Sequence, residues 1–76
     1  MFDNQLFGER LRSLRKAKGV SQQVIADLLE IKPPRVSEME NGKTTTSFAR
    51  LVLLADYFDV STDYLLGLSL IHIYSR

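Results

Sequence analysis

Apolar residues recur along this chain at the spacing of α-helices, and the polar residues between them supply starts and stops. The densest pattern runs from Ser21 to Gly42. There Ile25, Ala26 and Leu29 fall at i, i+1 and i+4 on one helix face, Ile31 follows in a turn, and Val36 and Met39 repeat the device at i and i+3. Ser21 is a good N-cap ahead of the first run, and Asn41-Gly42 stops the second, because Gly enters the left-handed region without a Cβ clash. Ala26 is small where a larger side chain would hold the two helices apart. Helices this short cannot bury a core alone and need the flanking chain.

The flanks supply three more helices. Asp3 or Asn4 can cap a first one, in which Phe7, Leu11 and Leu14 recur at i, i+4 and i+7 and Lys18-Gly19 marks the end. Val20 then precedes the second helix, where it either staples the helix by packing on Val24 or leaves Val24 exposed. After the polar run Thr44 to Ser47, Ser47 caps a fourth helix with the apolar stripe Phe48, Leu51, Leu54, Ala55 and Phe58. Val52 and Leu53 lie off that stripe, as a widened core face or as a partner surface, the first being preferred. Ser61 caps a short fifth helix from Thr62 to Leu66, where Tyr64 and Leu65 close the bundle and Gly67 ends it.

Seventy-six residues make one small domain, near the lower limit for a core without staples, and with no cysteine neither a disulfide nor a cysteine zinc site supplies one. At 45% apolar residues a compact helical domain is within reach. Net charge is only +1, but residues 1 to 50 carry nine Lys/Arg against six Asp/Glu, whereas residues 51 to 76 carry one against three. The basic half holds the paired helices; on charge alone a solvated basic face is the plainer reading. No secretory signal or bilayer-spanning run is visible, so a cytoplasmic protein without membrane association is expected.

Ser21-Gln22, Ala26, Leu29, Ile31, Val36-Ser37 and Glu40-Asn41-Gly42-Lys43, continued by Ala55, Phe58, Val60-Ser61, Asp63-Tyr64 and Leu65-Leu66-Gly67, match a known pattern in order and spacing. The chain resembles, over roughly residues 7 to 67, the Xre/Cro-type (lambda-repressor-like) helix-turn-helix DNA-binding family. The resemblance implies an all-α, five-helix bundle over residues 1 to 67. It also implies a partly buried salt bridge from Arg15 to Glu40, tying the first helix to the third; an exposed pair contributing little is the alternative.

Further implications concern DNA. The second helix of the pair enters the major groove while the first lies across the backbone. Gln22, Asn41 and Lys43 then take phosphate-contact positions, with Thr44 and Thr45 as further hydroxyl donors; these set register and carry no sequence information. The base-reading face comprises Pro33, Pro34 and Glu38, adjoined by Lys32, Arg35 and Ser37. The prolines offer only apolar contact, for instance to a thymine methyl; Glu38 can accept from a cytosine amino group; and Lys32 and Arg35 are the cationic contacts to guanine or phosphate. Pro34 disfavours helical backbone at Pro33, so a helix beginning one residue late is expected. Glu30 stands where the family usually has a turn Gly, which costs roughly 1 kcal/mol if that residue is left-handed, and Lys32 replaces the usual Ser cap.

The leading expectation is thus a sequence-specific DNA-binding domain of a small, phage-repressor-like transcriptional regulator. It would act as a homodimer on half-sites about 34 Å apart. The alternative is an antitoxin or adaptor module that keeps the fold for protein contact, through Val24, Leu28, Val52 and Leu53. An enzyme, a metal site or a small-molecule cofactor is not expected: no carboxylate pair, Ser/His arrangement, phosphate loop or ligand cluster is present, and His72 stands alone. The tail, residues 68 to 76, is expected as a short strand or frayed end. Its LSLIHI string resembles one reading frame of a transposon end used in preparing sequencing libraries, so interruption of the natural frame near Gly67 is a hypothesis; native coding sequence running through that point at the source locus would refute it.

Overall fold

A computed structural model describes residues 3 to 68. Among them the chain forms five helices: α1 (Asn4–Lys18), α2 (Gln22–Leu29), α3 (Pro33–Glu40), α4 (Phe48–Phe58) and α5 (Thr62–Leu66). Helix α1 packs on α3 and α5, α2 packs on α3 and α4, and α4 closes on α5. Phe7, Leu11, Ile25, Leu29, Val36, Met39, Leu54 and Leu65 meet in one core, so every helix contributes to it. The strand or frayed end expected for the tail lies, beyond the exposed Leu68, outside the described residues.

Local chemistry sets the boundaries. The Asp3 carboxylate accepts from the Gln5 and Leu6 amides at 3.0 and 3.2 Å, and the hydroxyls of Ser21, Ser47 and Ser61 accept from Val24, Arg50 and Tyr64 in the same way. Such a cap replaces one of the amide partners that a helix start lacks, worth roughly 1 kcal/mol. Helix α3 departs from this. It begins at Pro33 and not one residue late: Pro33 and Pro34 occupy its first two positions, and Lys32 takes the capping backbone with no side-chain hydrogen bond. Proline's fixed φ suits a first turn, where no intrahelical amide bond is lost, and this outweighs the bias that Pro34 places on its predecessor.

Two apolar expectations need correction. Phe48 is 74% exposed and Leu53 43%, so neither belongs to the core. Phe48 is the first residue of α4, ahead of its buried line, and Leu53 lies off that line of Leu51, Leu54 and Ala55. Val24 is also exposed, while Val20 packs on the core without it. Gly8 is not singled out by the sequence pattern, yet it sets the α1–α3 approach: a Cβ there would overlap the carbonyl oxygens of Met39 and Glu40.

Candidate nucleic-acid interface

The corner between α2 and α3 is made by Glu30, held at φ 59° and ψ 45° in the left-handed region. The Ile31 amide then donates to the Ala26 carbonyl at 2.9 Å, which satisfies an end carbonyl of α2 and points the chain into α3. Arg50 secures the same end, its Nε donating to the Leu29 carbonyl at 3.0 Å. Beyond α3, Gly42 is left-handed at φ 78° and the Lys43 amide closes back on the Glu38 carbonyl at 2.9 Å.

Helix α3 is thereby divided lengthwise. Val36, Met39 and Glu40 face inward, while Pro34, Arg35, Glu38 and Asn41 are exposed on the opposite side, with Pro33 and Ser37 half-buried at its edge. Lys32 at the head of the helix and Lys43 past its end are exposed, and Thr44 and Thr45 are half-buried. Asn41 Nδ2 lies 3.5 Å from the Ser37 hydroxyl, and Thr44 Oγ1 donates to the Thr45 carbonyl at 3.3 Å. Three exposed cations, Lys32, Arg35 and Lys43, thus flank α3 with Glu30 and Glu38 among them.

Beneath this face lies a polar network. Arg15 Nε donates to Glu40 Oε2 at 2.6 Å and Nη2 to Oε1 at 3.1 Å, while Nη1 donates to the Val20 carbonyl at 3.1 Å. The pair is well shielded, with 13% and 3% of its side chains exposed. Hydrogen bonding to Glu40 raises the Arg15 pKa above the ordinary arginine value, with burial opposing. Stability from that shift is complete below the ordinary value and lost only as pH rises through the raised one, so Arg15 adds no pH dependence near neutrality. Gln22 joins the network, its Nε2 donating to Glu40 Oε1 at 3.0 Å, so the side chain expected to meet phosphate is tethered to the bridge.

A model of the family described as "Helix-turn-helix" matches residues 11–65. The chain belongs to the helix-turn-helix family. Over 61 residues it is 43% identical to YonR of Bacillus subtilis (strain 168), a prophage-derived HTH-type transcriptional regulator, covering 80% of this chain and 56% of that protein. It is 44% identical over 59 residues to the regulator AnsR of the same organism, covering 78% and 51%. Of solved structures, the restriction-modification controller protein C.AhdI from Aeromonas hydrophila superposes with a TM-score of 0.72 at 36% identity, covering 83% of this chain and 96% of that one. The P22 c2 repressor bound to a synthetic operator gives 0.77 at 29%, covering 86% and 98%. The chain spans about half the length of the curated relatives it matches.

Two arginine roles in this helix-turn-helix domain escape the sequence pattern, and a glycine role is open to it but not drawn from it. Arg10 donates to the Tyr64 carbonyl and lies 4.1 Å over the Tyr64 ring, fastening α5 to α1. Arg50 fastens α4 to the end of α2, and no periodicity marks either contact. Gly8 does leave a signal: glycine inside a helix costs about 1 kcal/mol against alanine, so a packing reason is the natural inference. No group of side chains suited to a metal ion occurs among the described residues, and none of their helices is long and apolar enough to cross a membrane.

Proposed function

We propose that this domain binds double-stranded DNA sequence-specifically, as the reading head of a transcriptional regulator working as a homodimer in the cytoplasm. The observation that supports this most is the free outer face of α3. Pro34, Arg35 and Glu38 stand exposed on a helix whose opposite side is locked into the core, leaving a rod that fits a major groove. Relatives named as transcriptional regulators, and a similar repressor fold solved on an operator, support the same reading. In it Lys32, Pro33, Pro34, Arg35, Ser37 and Glu38 face the bases, while Gln22, Asn41, Lys43, Thr44 and Thr45 hold phosphates. The proline rings lack any donor and meet thymine methyl groups; Glu38 accepts from cytosine.

The test is selection of binding sites from a random duplex library, with Arg35→Ala as control, followed by affinity measured against salt. A consensus whose affinity falls with salt and with Arg35→Ala is expected; no enrichment refutes the proposal. Replacing consensus thymines by deoxyuridine is expected to weaken binding where a proline ring meets the methyl. Of the adaptor surface Val24, Leu28, Val52 and Leu53, only Val24 and Leu53 are exposed while Leu28 and Val52 are half-buried, and that reading would gain if the chain bound a protein partner while ignoring duplex DNA.

A further inference from the structure

The Glu40 carboxylate has more partners than a bridge to Arg15 requires. Its Oε1 accepts from both Arg15 Nη2 and Gln22 Nε2, at 3.1 and 3.0 Å, so one buried carboxylate joins α1, α2 and α3. An ordinary helix clamp needs only the two arginine bonds. The third bond falls on Gln22, the first residue of α2, which is half-buried and begins the element that would cross the phosphate backbone.

We infer that Glu40 is a positioning residue for DNA binding: it fixes the Gln22 side chain before the duplex arrives, so that its other amide hydrogen is presented to a phosphate. This rests on the DNA-binding function proposed for the domain and names how one of its contacts is prepared. A free glutamine loses rotamer entropy when it engages a phosphate, and tethering it in the unbound protein removes part of that cost. The Arg15 fork neutralises the carboxylate that would otherwise repel the same phosphate. A glutamine at position 40 offers one acceptor oxygen in place of two; with that oxygen on the Arg15 fork, its amide group faces the Gln22 amide donor to donor, Gln22 has to turn its own amide over, and the orientation that presents its second hydrogen is lost.

The experiment is a double-mutant cycle on affinity for the selected duplex, using wild type, Gln22→Ala, Glu40→Gln and the double variant at a temperature where circular dichroism shows all four folded. Gln22→Ala is expected to weaken binding about tenfold, the worth of one hydrogen bond to a charged acceptor. Glu40→Gln is expected to weaken wild type at least about threefold more than it weakens the Gln22→Ala protein; removing a negative charge near DNA acts equally in both backgrounds and cancels. Equal factors overturn the positioning role while leaving DNA binding intact, whereas a wild type that binds no duplex overturns the underlying reading. Should Glu40→Gln fail to fold, side-chain amide relaxation in wild type decides: an ordered Gln22 amide that shifts on adding duplex is expected, and one as mobile as an unrestrained surface amide overturns the inference.

Discussion

Helices α3 and α5 are both short, and both come after the same kind of corner. Glu30 after α2 and Asp59 after α4 adopt nearly identical left-handed backbone, at φ 59° and 57°, and the next amide closes back in the same pattern, Ile31 on Ala26 and Val60 on Ala55. The two helices start differently. Helix α5 begins with a Ser61 hydroxyl accepting from the Tyr64 amide at 3.0 Å, whereas α3 begins with Lys32 and no side-chain cap. Helix α3 is held from a distance instead, through the Arg15–Glu40 pair and the close approach at Gly8. A helix can thus be fixed from behind while its outer face stays free, and its exposed end need carry no structural duty.

That contrast sets the order of effects. Arg15→Ala leaves the buried Glu40 carboxylate without its cation, and is expected to cost about 3 kcal/mol or more, lowering Tm by more than about 10 °C in a thermal melt. A loss within about 1 kcal/mol would mean that α3 is held mainly by its apolar face. Ser61→Ala comes next, at about 1 kcal/mol, because α5 does depend on its cap. Glu30→Gly is expected to stabilise by up to about 1 kcal/mol, and Asp59→Gly by less, since Asp tolerates left-handed backbone better than Glu. Equal gains in denaturant titrations would show that the two corners carry the same strain.

Much of this is legible in the residues. Serines at 21, 47 and 61 mark helix starts by their chemistry, and the short helix from Thr62 to Leu66 has the bounds its residues predict. Glu30 stands out because it breaks a habit of glycine; Asp59, in the same conformation, carries no such mark, since the sequence signals around it belong to the residues after it. Periodicity misplaces Phe48, because a one-dimensional stripe does not say where the neighbouring helices end. At the interface, sequence can nominate Gln22 and Glu40 separately but not join them. Their bond crosses eighteen positions and depends on how α2 and α3 pack.

The smallest effect on stability is the sharpest test of the contrast. A cap is useful only if amides wait for it, and in α3 the first two positions are prolines without any N–H. The third, Arg35, already donates to the Lys32 carbonyl at 2.9 Å. Lys32→Ser, which restores the customary capping residue, therefore has little left to satisfy, and is expected to change stability by less than about 0.5 kcal/mol in equilibrium unfolding. The same substitution removes an exposed cation at the head of α3. Lys32 is proposed among the base-facing residues, and its ammonium displaces a counterion wherever it meets the duplex, so the slope of log affinity against log salt is expected to fall by about one in the variant. A gain of a full cap's worth in stability with no change in slope would reverse both halves of the argument, making α3 an ordinary helix that merely lacks its serine.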